Sequence, residues 1–208
     1  LPMKWKVLSV NGAEVFLLAD KVLDDKQYHI VSEDVTWENS TIRSWLNGYG
    51  ADINKQKNDY SKRGFIDVAF SMDDRLAIKN TNIENKANLY HGTGGGNNTS
   101  DKIFLLSQSE VYTDDAKEFG FNLDGTVEDE ARRVKSTLYA KAIGVYGNDY
   151  GDSWWWLRSP GYNGITAAQV GSAGWSEGTE AVNSCMQGIC PALNLTVSSK
   201  VCSYAGTV

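Results

Sequence analysis

The chain has 208 residues, 41% hydrophobic and 22% charged, which suffices to bury a sizeable core without disulfide or metal staples. A formal net charge of -6 excludes the basic stripe that nucleic-acid binding needs. No window approaches the ~18 apolar residues of a membrane span.

Residues 4–19, KWKVLSVNGAEVFLLA, predict a hairpin: two apolar runs flank Asn11-Gly12, the strongest short turn signal. Residues 34–48 predict a short helix with Thr36, Asn39 or Ser40 as caps and Gly48 as the stop. Ile42, Trp45 and Leu46 share its inner face, and Trp37 packs beside them. Ser71 with Asp74, and Ser107 with Glu110, have capping-box spacing. Between them, the His91-Gly-Thr-Gly-Gly-Gly stretch does not open a helix, so it reads as a flexible loop and not a phosphate cradle. Residues 103–106 predict a buried strand. Residues 130–143, EARRVKSTLYAKAI, predict the best-patterned helix, with Val134, Leu138 and Ala142 inward. Arg132, Arg133 and Lys135 then lie on its solvated face.

Beyond Gly144 the composition changes. Only six charged side chains remain (Asp149, Asp152, Arg158, Glu177, Glu180 and Lys200), while Tyr, Trp, Gly, Ser and Asn become frequent. Large rigid aromatics among small polar residues are what contact loops use. Of Trp155 and Trp156, which are adjacent, one is expected inward, with Arg158 placed to stack on one of them. Periodicity leaves the exposure of Trp154 and Trp175 open. Cys185, Cys190 and Cys202 form an odd, late cluster, expected as idle thiols, with a Cys185–Cys190 bridge as the alternative in an oxidising compartment. No His, Cys and acidic grouping predicts a metal site, and no cofactor is expected.

The succession KWKVL, TWENSTIRSWLN, KIFLLSQSE, TLYAKAIG, WWLRSP, AAQV and GICPALNL resembles a bacterial domain family of unknown function, DUF6273, over roughly residues 4–195. That family is similar to the C-type-lectin-like fold of the formylglycine-generating-enzyme branch. The resemblance implies a single α+β domain over 1–208, with two main helices, a small twisted antiparallel sheet and long irregular loops. It also implies likeness to the variable proteins of diversity-generating retroelements, in which a segment between such landmarks is mutated and lines a ligand-binding surface. Carried onto this chain, residues 153–195 would be that segment. Its ligand-binding positions would be Tyr162, Asn163, Thr166, Trp175, Glu177, Thr179, Glu180, Asn183 and Ser184, with Trp154 just ahead of the landmark. The family has Arg where this chain has Cys190, which removes a donor expected to anchor the closing loop.

The expected function is a non-enzymatic ligand-recognition domain for an unknown protein or glycan, with extracellular, cell-surface or phage-associated placement and an export signal upstream of Leu1. Two alternatives stand beside it. Cys185-x4-Cys190 has the spacing of a copper-dependent oxidase of the formylglycine-generating type, without its flanking residues. The other is a calcium-independent carbohydrate-binding module working through aromatic stacking.

Overall fold

The computed structural model describes residues 3–175 and 178–197. In chain order the elements are β1 (Trp5–Asn11), β2 (Glu14–Ala19), β3 (Asp24–Asp25), α1 (Thr41–Asn47), α2 (Phe65–Ala69), α3 (Met72–Ala77), β4 (Thr81–Ile83), β5 (Thr99–Asp101) and β6 (Ile103–Phe104). There follow α4 (Gln108–Tyr112), α5 (Asp114–Glu118), α6 (Leu138–Ala142), β7 (Trp155–Pro160), β8 (Thr166–Val170), β9 (Thr179–Ala181), β10 (Gly188–Ile189) and β11 (Ala192–Thr196). The architecture is mixed α and β, with six short α-helices among the described residues instead of two dominant ones. Strands pair in the orders β1-β2-β11-β6, β3-β10-β7-β8-β9 and β4-β5, and β10 runs parallel to β7.

The hairpin forms as its pattern predicts, but the turn sits one residue later. Asn11 pairs with Glu14, so Gly12-Ala13 is the two-residue loop. Gly12 has φ +60°, which a glycine at the first central position adopts without a Cβ clash. β2 is a central strand because β11 pairs along its other edge, Leu193 opposite Leu17 and Ala192 opposite Leu18. The GICPALNL landmark is therefore structural: it ends in a core strand. Cys190, at the position of the expected arginine, is fully buried, and its thiol donates to the Ala19 carbonyl at 3.2 Å. The Ala19 N–H to Pro191 O bond of 2.9 Å holds the same joint. A small buried group thus takes up the local anchoring.

Ser40 caps α1 by accepting from the Arg43 N–H, and Gly48 ends it at φ +64°. Trp37, Ile42 and Leu46 are buried as expected. Arg43 is also buried, because it faces Asp101 on β5. The Asp101 carboxylate accepts from Trp37 Nε1 (3.0 Å), Arg43 Nε (2.8 and 3.1 Å), the Tyr49 hydroxyl (3.0 Å) and the Thr99 hydroxyl (2.7 Å). A fully buried carboxylate is tolerated only with such complete pairing. The Gly-rich stretch is a mostly exposed loop that opens no helix, as expected, and within it Gly95 alone is buried: a Cβ there would lie 2.2 Å from the Asn85 carbonyl.

The predicted 130–143 helix is broken. A 3₁₀ turn covers Glu130–Arg132, Lys135 and Ser136 are extended and bridge to Asp152 and Val22, and only α6 is helical. Leu138, assigned inward, is 87% exposed, whereas Val134 is buried from the extended part. The cause is Arg132, which is fully buried and not solvated. Its Nε donates to Gly174 O, Nη1 to Val111 O and Asn122 O, and Nη2 to Asp124 O and Val127 O, at 2.5–3.1 Å. All five guanidinium protons reach backbone carbonyls, one in the last turn of α4 and four in irregular backbone with no ladder to join. A continuous helix would turn that side chain away from these carbonyls.

His29 is buried, its Nδ1 accepting from the Thr41 N–H (3.2 Å) and its Nε2 facing Glu33 (3.1 Å). Burial lowers its pKa from 6.5, against the smaller upward pull of Glu33, whose own carboxyl is held down to about 2 by Lys55 and His29. The unfolded chain therefore takes up the proton first. Stability from this group is complete above the unfolded value of 6.5 and is lost as pH falls toward the lower folded value. Urea midpoints should thus drop as pH falls below about 6.5, and His29→Asn, which keeps an acceptor for Thr41, should flatten that slope. Asp101→Asn leaves Arg43 without its charge partner and should cost about 3–5 kcal/mol in the same denaturation assay.

Candidate functional site

β7 is the spine of the C-terminal third. All six of its residues are buried, because elements cover both faces. Both adjacent tryptophans go inward on opposite faces. Trp155 Nε1 donates to Arg132 O (3.3 Å), while Trp156 Nε1 donates to Lys26 O (2.9 Å) and its ring meets Tyr28 edge-on at 5.8 Å. Arg158 does not stack on them; its guanidinium lies 5.9 Å from the Phe104 ring centre.

Trp154, one residue before the strand, is half-buried and starts a different arrangement. Its ring meets Tyr146 at 5.2 Å and Trp175 at 5.9 Å, both edge-to-face (68° and 72°). Such pairs contribute about 0.5–1.5 kcal/mol beyond the area they bury. The Trp175 indole lies across two glycines: a Cβ on Gly171 would be 2.5 Å from the ring, and one on Gly178 would be 2.7 Å away. The Gly171 N–H to Trp175 O bond and the Gly174 N–H to Gly171 O bond, both 2.8 Å, close the loop that carries it. Gly174, at φ +87°, sits so close to Asp129 O that a Cβ would be 2.0 Å from it. The Arg132 Nε and Arg133 Nε bonds to Gly174 O and Ala173 O pin the same loop from below.

Met186 is tied to the row through its backbone. Its carbonyl accepts from the Tyr146 N–H (2.9 Å) and its N–H donates to Asp25 Oδ1 (3.1 Å). It holds φ +71°, a left-handed conformation unusual for a side chain without a hydrogen-bonding tip. Met186 is 53% exposed and Tyr146 49%. Close to this row, three polar atoms have no partner among the described residues: Trp154 Nε1, and Oε1 of the buried Gln169 and Gln187. Tyr146, Trp154 and Trp175 thus make a row of rings with recessed hydrogen-bonding capacity, with the exposed Met186 joined to it through the Tyr146 backbone.

The positions carried over from the resemblance do not form one cluster. Trp154, Trp175 and, following Gly178, Thr179 lie at the end of the β7–β8 hairpin where the aromatic row sits. Tyr162 and Asn163 lie in the turn at the other end, about 17–20 Å away for strands of this length. Tyr162 is 55% exposed, with His91 edge-on at 6.3 Å. Asn163 and Thr166 hold the turn itself: the Asn163 N–H donates to Thr166 Oγ1 (3.2 Å), and the Thr166 hydroxyl donates to Asn163 O (3.1 Å). Thr166 is buried and is a framework residue, not a contact residue. Glu180 is half-buried on the edge strand β9, its Oε1 accepting from the Ala181 N–H. Asn183 O accepts from Gln27 Nε2 at 2.6 Å, and Ser184 Oγ donates to Cys185 O. Glu177 and Cys202 lie outside the described residues.

Tyr146 and Met186 were not among the expected positions. Tyr146 stands just inside the stretch where aromatics become frequent, a usable signal. Met186 carries none, since only the backbone bond to Tyr146 brings it there. Cys185 is exposed and Cys190 buried, both as free thiols, so the alternative bridge is not formed. Burial pushes the Cys190 thiol up to about 12, which keeps it protonated and a poor soft-metal ligand at neutral pH. Among the described residues no group of three His, Cys, Asp or Glu side chains is arranged to hold a metal ion, and no helix is long and apolar enough to cross a membrane.

No curated protein and no solved structure matches the chain significantly. A family model described as "Domain of unknown function (DUF6273)" matches residues 12–197, nearly the whole described chain, and this protein belongs to that family.

Proposed function

We propose that this chain is a non-enzymatic recognition domain of C-type-lectin-like architecture, with its contact surface in the C-terminal third. The observation that carries the reading is the row Tyr146–Trp154–Trp175, with Met186 beside it: half-exposed rings propped on glycines and held from below by a buried arginine. Aromatic and methionine side chains on a fixed support are the usual anchors of protein contact surfaces. The separate support also favours variation, because side chains above Gly171 and Gly178 are not what the β7 core is built from. A retroelement would exploit that freedom, and the segment between the two landmarks would be its target.

Tyr146→Ala with Met186→Ala should shift stability by no more than about 1 kcal/mol, the range of partly exposed positions. The same pair should abolish capture of any ligand selected from protein and glycan panels. Global unfolding of the double variant would place these residues in the core and end the reading. Replacing Arg132 by Lys keeps the charge but removes the five-donor fork. It should redden and broaden the tryptophan emission as the Trp175 loop loosens; an unchanged spectrum would show that the loop does not need the guanidinium. Diversification has its own test: a second genomic copy of the DNA coding for residues 156–193, differing at adenines and lying next to a reverse transcriptase gene.

A further inference from the structure

The exit of β9 hangs on a histidine. Val182, the residue after the strand, is fully buried. Its carbonyl accepts from the His29 N–H at 2.8 Å, and the Ser184 N–H donates back to Ala181 O at 2.9 Å to form the turn. Asn183 and Ser184 stand in that turn, and Met186 follows two residues on. The segment that supplies the contact is weakly built: 28–33 is a run of bends without a ladder, and Ile30, Val31 and Ser32 are exposed. Tyr28 anchors its start through its hydroxyl bond to Arg158 O (2.8 Å), which leaves 29–33 as the part free to open. Segments of this kind open at far lower cost than core strands.

The His29 ring is placed to control that opening. It is fully buried, and its Nδ1 accepts from the Thr41 N–H, so the proton of the neutral ring sits on Nε2 and is donated to Glu33. A second proton has one place to go, Nδ1, where it would meet the Thr41 N–H donor to donor. Among the described residues the charges facing the ring are Glu33 and, paired with Glu33 at 3.0 Å, Lys55; α1 presents the Thr41 backbone N–H. Glu33 lies inside 29–33 and offsets part of the cost of an imidazolium there. Release of the segment into water removes the rest.

We propose that His29 is an acid-operated latch on the recognition segment: its protonation frees 29–33 from α1 and from Val182, and loosens the 182–186 loop with Asn183, Ser184 and Met186. Its bearing on binding rests on the recognition reading of that segment; the opening itself does not.

Native-state amide exchange across a pH series tests this. The open form binds the proton at the ordinary histidine value. Protection of the His29 and Thr41 amides should therefore start to fall below pH 6.5, by up to about tenfold per pH unit, while β2 and β7 amides keep theirs. The Ser184 amide and Met186 methyl resonances should shift with the same profile. His29→Asn should remove it. Glu33→Gln takes away the group that supports the imidazolium in the closed site, and should enlarge the pH-dependent loss. Asp25→Asn, which deletes the other titrating contact of the loop, should leave the profile in place. Flat protection, equal loss in β2 and β7, a Ser184 profile that survives His29→Asn, or a smaller loss in Glu33→Gln would each overturn the latch. All are read without ligand, so a failure here leaves the Tyr146 and Met186 test of the surface untouched.

Discussion

One buried guanidinium fixes the geometry on which the candidate surface depends. Arg132 gathers carbonyls from residues 111, 122, 124, 127 and 174, so the end of α4, the 122–127 loop and the loop carrying Trp175 meet at a single side chain. Its own carbonyl receives the Trp155 indole N–H, and two residues on, Val134 O receives the Ser153 N–H. The segment around Arg132 therefore sets where β7 begins, and with it the position of Trp154. A lysine has the charge but not the planar fork that reaches carbonyls in several directions.

The same requirement explains why the segment is not helical. Residues 130–143 have good intrinsic helix propensity and a plausible apolar stripe, a preference of a few tenths of a kcal/mol per residue. Five charge-assisted bonds from one buried side chain, each worth more than a neutral bond, outweigh it. The backbone of Val134–Ser136 instead extends beside Asp152 and Val22, and helix resumes only where Thr137 caps α6. Asp101 does the converse: a buried carboxylate collects Trp37, Arg43, Tyr49 and Thr99, tying α1 to the β5 ribbon. In both places a single charge organises several segments too short to be stable alone.

This arrangement separates cohesion from display. Of the strands that close the fold, β7 is buried throughout, and β2 and β11 pair with each other over five residues, with Leu18, Ala19, Ala192 and Leu193 in the core. The aromatic row is set on glycines outside that framework. A cleft lined by Arg158 lies on a different wall again, so one β7 strand serves the core with its tryptophans and a polar cleft with its arginine.

What the amino-acid sequence determined by itself was local. The β1–β2 hairpin, the Ser40 and Gly48 ends of α1, and the Ser71–Asp74 and Ser107–Glu110 boxes were legible, because each is decided by residues within a few positions of one another. The aromatic enrichment of the C-terminal third was legible too, as composition. Tertiary structure alone decided that Trp154 and Trp175 meet, that Met186 joins Tyr146, that Thr166 serves its turn, and that Arg132 lies in the core. The physical reason is common to all four: their partners are chosen by strand register, or by backbone carbonyls that carry no residue signature. Periodicity sees an arginine as solvated until an unpaired carbonyl stands within reach of it.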